Sequence, residues 1–139
     1  MLKPVGGVSY IASLIMRIFI IEDDPIYAEF VAASLSQTPG RKVSVYPTAE
    51  DGLTAVEAET PEVVISDFRL PGMSGIDFFE HVKPILPKES KFIMMSGLDD
   101  GMQVLGFIQK GLRDYVIKDE RITESLNAII TGQDDALIY

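Results

Sequence analysis

Three acidic residues, a serine and a lysine stand where runs of apolar residues give out. Glu22 and Asp23 follow the run at 17–21, Asp67 follows Val63, Val64 and Ile65, Ser96 follows KFIMM at 91–95, and Lys118 follows the run at 115–117. If those runs are neighbouring parallel strands, their carboxyl ends share one edge, where open α/β sheets hold their ligands. Three carboxylates crowded there repel one another unless a cation joins them, and an all-oxygen donor set suits a hard, octahedral ion such as Mg2+. Ser96 and Lys118 remain free to hold an anion. A divalent cation and an anion beside a carboxylate make a site for moving a phosphoryl group, since metal and ammonium neutralise charge on the transferring oxygens.

The elements that must position these residues alternate along the chain. Val63, Val64 and Ile65 are β-branched and uninterrupted by charge, which suits a central strand buried on both faces. Pro71, Gly72 and Gly75 then turn the chain sharply and leave Asp67 at the carboxyl edge. Upstream, the strand at 17–21 leads to Pro25, suited to a first helical position, with Asp24 before it to cap the free amides. In the helix at 25–36, Ile26, Phe30 and Ala33, with Val31 and Leu35 beside them, recur at helical spacing and are expected on the sheet. Thr38, Pro39 and Gly40 break that helix. A strand at 42–46 and a helix opened by Pro47 and Thr48 follow, with Leu53 and Val56 inward.

After the Asp67 loop, Ile76, Phe78, Phe79 and Val82 mark a helix at 75–83 that Pro84 and Pro87 stop. A strand at 91–95, a helix at 100–110 ended by Gly111, a short strand at 115–117 and a helix at 121–131 complete the series. Five strands alternating with five helices make a parallel sheet with helices on both faces. The fourth helix carries Met102, Val104, Leu105, Phe107 and Ile108, too many apolar residues for one buried stripe, while Gly101 and Gly106 weaken it. That surplus is either a switch surface or cover for a neighbouring loop. His81 lies on a helix without a companion His or Cys and is expected to face solvent.

Composition sets the bounds. The 139 residues, 47% of them hydrophobic, make one domain with material for a real core. The absence of cysteine rules out a disulfide framework or thiolate metal site, and a reducing cytoplasm is the natural compartment. A net charge of −9 argues against direct nucleic-acid binding, which needs clustered Lys and Arg, but leaves room for a cation or a basic protein surface. Lys3 and the apolar stretches at 8–16 and 18–21 imitate a signal peptide or membrane anchor. Arg17 cuts them below the roughly 18 residues that a spanning helix needs, so no membrane association is expected. Met16 then reads as an internal start, with 1–15 a leader or N-terminal extension, 16–131 the folded domain and 132–139 a tail.

From Met16 to about Thr131 the sequence resembles the receiver domain of a two-component response regulator. RIFIIEDDP, ISDFRLPGMSG, FIMMSG and GLRDYVIKD carry the resemblance, in order and at the right spacing. It implies a flavodoxin-like α/β fold with strand order 2-1-3-4-5. It also implies that Asp67 takes a phosphoryl group from the phosphohistidine of a histidine kinase or phosphotransfer protein. Glu22 and Asp23 match the acidic pair that holds Mg2+, Asp23 as the direct ligand and Glu22 mainly through water, with Asp67 and the backbone carbonyl of Arg69 completing the protein ligands. Ser96 stands at the position of the hydroxyl that moves to the phosphoryl group, Lys118 pairs with another of its oxygens, and Tyr115 matches the aromatic switch residue. In the family, the region that corresponds to 100–131 forms a dimerisation or output surface.

One departure stands out. The family's lysine is usually followed by proline in a cis peptide, and here it is followed by Asp119. A cis bond to a non-proline residue costs about 2.5–4 kcal/mol, which leaves the 118–119 peptide trans or strained. A phosphorylation-controlled switch without an output domain in this sequence is thus the leading expectation, not an enzyme acting on an external metabolite. A phosphatase with an aspartyl-phosphate intermediate is the alternative, but commonly carries an acid two residues after its nucleophile, where this sequence has Arg69. A pseudo-receiver, with the fold and no phosphorylation, is the third.

Overall fold

A computed structural model describes residues 14–132. The leader expected at 1–15 lies outside the described residues except for Leu14 and Ile15, and the expected tail except for Gly132. The elements run β1 (Met16–Ile21), α1 (Pro25–Ser36), β2 (Arg41–Tyr46), α2 (Ala49–Ala58), β3 (Val63–Asp67), α3 (Gly75–Val82), β4 (Lys91–Ser96), a single 3-10 turn (Leu98–Asp100), α4 (Gly101–Ile108), β5 (Asp114–Ile117) and α5 (Ile122–Ile130). The five strands form one parallel sheet in the order β2-β1-β3-β4-β5, the order expected.

Strand alternation splits the core into two layers. Phe19, Ile21, Val64, Phe92 and Met94 face α2, α3 and Val104 of α4, whereas Ile18, Ile20, Val63, Ile65, Ile93 and Met95 face α1 and α5. Every residue of β3 is buried, as its unbroken apolar run requires for a strand covered on both faces. Asp24 caps α1 by accepting from the amides of Ile26 and Tyr27, Thr48 caps α2, and Ser74 caps α3. Ile76, Phe78, Phe79 and Val82 are buried as expected. In α2, Val56 is buried and Leu53 partly so, with Ala49 and Gly52 also inward. His81 is exposed, and its ring Nδ1 lies 2.8 Å from the Asp77 carbonyl oxygen.

The inward face of α1 differs from the expected one. Ala28, Val31 and Leu35 are buried, while Ala33 is exposed, Phe30 is half exposed and Ile26 is 82% exposed. The spacing 28, 31, 35 is as helical as 26, 30, 33. Small Ala28 lets the helix approach the sheet closely, and the periodicity of a helix this rich in apolar residues does not say which of two stripes turns inward. The fourth helix, expected at 100–110, runs Gly101–Ile108 and is preceded by a 3-10 turn at Leu98–Asp100. The chain contains no cis peptide among the described residues, so the bond between Lys118 and Asp119 is trans. Also among the described residues, no helix is long and apolar enough to cross a membrane.

Candidate functional site

Parallel pairing continues past the strand ends and gathers the residues expected there. The Glu22 amide donates to the Tyr46 carbonyl at 3.1 Å, the Phe68 amide to the Met95 carbonyl at 2.8 Å, and the Lys118 amide to the Ser96 carbonyl at 2.9 Å. These bonds extend the ladders by one residue and hold Glu22, Asp67, Ser96 and Lys118 at a common edge. One carboxylate oxygen from each of Glu22, Asp23 and Asp67 lies within 4.8 Å of the others. Glu22 and Asp67 are buried and Asp23 is exposed.

Lys118 spans two of these acids. Its Nζ donates to Glu22 Oε1 at 2.6 Å and to Asp67 Oδ2 at 2.9 Å, and sits 4.7 Å from the centre of the Tyr27 ring. Burial pushes the Glu22 carboxyl above its ordinary value, against the pull of the Lys118 hydrogen bond and the amide of Asp24. For Lys118, burial alone would lower the ammonium, but the hydrogen bonds to Glu22 and Asp67 outweigh it and hold the group above its ordinary value. Lys118 is thus a fixed cation between two buried carboxylates.

Ser96 is fully buried, and its hydroxyl has no hydrogen-bond partner among the described residues. A buried hydroxyl left unpaired is costly, and the Tyr27 hydroxyl is likewise buried and unpaired among the described residues. Tyr115, at the middle of β5, is half-buried against the core layer that contains Phe68 and Val104.

The loop after Asp67 closes through a glycine. The Gly75 amide donates to the Phe68 carbonyl at 3.2 Å, and a Cβ at this position would lie 2.1 Å from the Asp67 carbonyl oxygen and 3.0 Å from Phe68 Cα. Those neighbours are backbone and cannot turn away. Gly75→Ala is therefore expected to cost about 3 kcal/mol by forcing the loop open. Urea unfolding should register that loss as a lower midpoint with the slope unchanged.

Two participants escaped the sequence reading. The side chain of Arg69 reaches across to Asp100, with Nε 2.8 Å from Asp100 Oδ1 and Nη2 on the same oxygen, while Asp100 Oδ2 accepts the Gly97 amide at 3.0 Å. Asp100 reads in the sequence as the start of a helix, and its only signal was its place in the loop that follows Ser96. The hydrogen bond from Arg69 holds the Asp100 carboxyl below its ordinary range. Tyr27 is the second: it lies on the α1 stripe that the sequence reading did not turn inward. The Arg69 amide also donates to Asp67 Oδ1 at 3.3 Å, which fixes the backbone of Arg69 beside the central acid.

The family model for the response regulator receiver domain matches residues 18–130. The chain belongs to the response regulator receiver domain family. Among curated relatives of this receiver domain, a probable transcriptional regulatory protein NarL of Mycobacterium tuberculosis is 30% identical over 119 residues, 83% of this chain and 53% of the relative. The DNA-binding response regulator MtrA of Mycolicibacterium smegmatis is 34% identical over 104 residues, 73% of this chain and 43% of the relative. The chain thus spans about half the length of the curated relatives it matches. Among solved structures, a CheY-like receiver domain from Methylobacillus flagellatus has the same fold, at a TM-score of 0.72 and 24% identity over 85% of this chain and 98% of that one. The receiver domain of Thermotoga maritima CheB has a TM-score of 0.74 at 16% identity, over 85% of this chain and 95% of that one. Receiver domains of response regulators interact with histidine kinases or phosphotransfer proteins, and they generally bind Mg2+ at an acidic cluster such as the one Glu22, Asp23 and Asp67 form here.

Proposed function

We propose that this receiver domain is a phosphorylation-controlled signalling switch in which Asp67 accepts a phosphoryl group from the phosphohistidine of a histidine kinase or phosphotransfer protein. The observation that carries this reading is the Lys118 ammonium held 2.9 Å from Asp67 at the edge where three carboxylates converge. In the step itself a carboxylate oxygen of Asp67 attacks phosphorus. The new O–P bond forms as the P–N bond to the donor imidazole breaks, and the imidazole leaves with the electron pair.

Lys118 stabilises charge on one oxygen of the transferring group, and Ser96 donates its unpaired hydroxyl to another. The amide of Arg69 keeps the acceptor carboxylate turned toward the open face. Glu22, Asp23, Asp67 and the Arg69 carbonyl would hold Mg2+, a fit supported by their all-oxygen chemistry and by the excess of negative charge that Lys118 alone does not balance. When bound, the ion supplies Lewis-acid neutralisation of the phosphoryl oxygens.

Tyr115 serves as the aromatic switch residue, its half-buried ring lying on β5, the strand that pairs with the Ser96 strand. The exposed apolar residues Leu98, Met102, Leu105 and Ile108 support an output or homodimer surface within the 100–131 region and its preceding turn. Ile26 and Phe30, exposed on the helix that begins beside the acidic pair, offer the phosphodonor an apolar footing. The switch acts in the cytoplasm, turns over no external metabolite, and does not itself bind nucleic acid. A phosphatase role lacks support, because the residue two places after Asp67 is a cation engaged with Asp100 rather than an acid.

Intact mass after incubation with acetyl phosphate tests the reading. One added phosphoryl group is expected in the presence of Mg2+ and none after chelation. If neither acetyl phosphate nor a phosphorylated histidine phosphotransfer protein modifies the chain, the reading fails.

A further inference from the structure

Resting on the phosphoacceptor reading, we propose that the Arg69–Asp100 ion pair is a latch on the segment 97–108, and that a phosphoryl group on Asp67 opens it by competing for Arg69. The two ends of the latch have opposite surroundings. The Asp100 side chain is 4% exposed and sits at the junction of the 3-10 turn with α4, whereas the Arg69 side chain is 65% exposed. The guanidinium can therefore leave without crossing packed core.

The competitor is chemically the stronger one. A phosphoryl group carries about −1.5 to −2 charge and three acceptor oxygens, and a guanidinium fork matches it in two-point contact. Arg69 is two residues from Asp67, with its own amide already on that carboxylate. Such differential attraction is what a covalent modification needs in order to shift a conformational equilibrium.

Departure of Arg69 leaves a buried carboxylate whose remaining hydrogen bond is to the Gly97 amide. A charge in that position must regain water or a new partner, which requires residues 98–101 to turn outward. Little resists that movement. Val104 is the buried side chain of α4, two glycines lie in the helix, and the Phe107 ring rests on Phe68 at 5.8 Å, the residue beside Arg69. The exposed Leu98, Met102, Leu105 and Ile108 travel with the segment, so the latch sets the presentation of that surface.

Hydrogen–deuterium exchange of peptides covering 97–108 tests the latch, on wild type, Asp100→Asn and Arg69→Gln, each before and after acetyl phosphate with Mg2+. Intact mass is recorded on the same samples. Asparagine keeps an acceptor for the Gly97 amide while removing the ion pair, and Arg69→Gln removes it from the exposed side, where folding is not at risk. Phosphorylation is expected to speed exchange in wild type by about fivefold or more, the lower end of usual coupling between sites. Unmodified Arg69→Gln should already exchange at the faster rate with no further gain on phosphorylation, whereas Asp100→Asn, which has no buried charge to expel, should stay slow before and after. Slow exchange in unmodified Arg69→Gln, or an equal gain in all three proteins, would overturn the latch. A wild type that carries the phosphoryl group without any change at 97–108 overturns the latch alone. A wild type that takes no phosphoryl group from acetyl phosphate or a phosphorylated histidine phosphotransfer protein overturns the phosphoacceptor reading, and the latch with it.

Discussion

Asp67→Asn is expected to take up no phosphoryl group, from acetyl phosphate or from a phosphohistidine donor. An amide oxygen is too weak a nucleophile to displace imidazole, and none of the other acids at the edge replaces it: Glu22 is buried under Lys118, while Asp23 lies on a different strand end. The same substitution should raise thermal stability when divalent ions are absent. One of three carboxylates within 4.8 Å of one another is neutralised, and Lys118 keeps Glu22 as its partner. A gain of about 1 kcal/mol corresponds to roughly 3–5 °C for a domain of this size. Added Mg2+ should stabilise wild type by mass action and the variant much less, because one ligand has lost its charge. Mass spectrometry and thermal melts with and without Mg2+ read the two effects separately. A variant that is still labelled would move the acceptor elsewhere.

Lys118→Ala carries the second large effect, on both chemistry and stability. Loss of a fixed cation beside the transferring group should slow phosphorylation by about 10²–10³-fold, the usual result of removing one electrostatic contact from a transition state. Stability should fall at neutral pH by about 3 kcal/mol, the lower end of the cost of breaking a buried pair, since the lysine itself is partly exposed. The loss follows from Glu22, whose side chain is 1% exposed and would keep only the Asp24 amide as a donor.

The pH dependence of that variant has a definite sign. Burial already raises the Glu22 carboxyl above 4.5, and removal of the ammonium raises it further. The folded state then binds a proton more tightly than the unfolded state. The variant is accordingly closest to wild-type stability below the unfolded value, and loses stability as pH rises from there through the raised folded value. Urea titrations at a series of pH values, with rate measurements by mass at neutral pH, check both parts. If the deficit were instead constant across that range, the loss would be one of packing against Tyr27 rather than of charge.

Much of this arrangement is legible in the linear chain, for local reasons. An unbroken β-branched run followed by an acid, a proline and two glycines has few alternatives to a buried strand and a sharp turn, and Gly75 proved to sit against the backbone of Asp67 itself. The alternation of strands and helices forces a parallel sheet, and a parallel sheet brings Glu22, Asp23, Asp67, Ser96 and Lys118 to one edge whatever separates them in sequence. Element types and the set of strand-end residues were therefore determined by the sequence alone.

Tertiary structure decided the remainder, because it turns on which surface meets which. The stripe of α1 that faces inward is Ala28, Val31 and Leu35, chosen by fit to the sheet between two stripes of equal period. Of the surplus apolar residues of α4, Met102, Leu105 and Ile108 stay exposed, while buried Val104 and partly buried Phe107, whose ring lies on Phe68, anchor the helix. The pairing of Arg69 with Asp100 joins two loops 31 residues apart. Nothing local marks such a pair: either residue alone reads as a solvated charge, and only the meeting of neighbouring strand ends makes the two a contact.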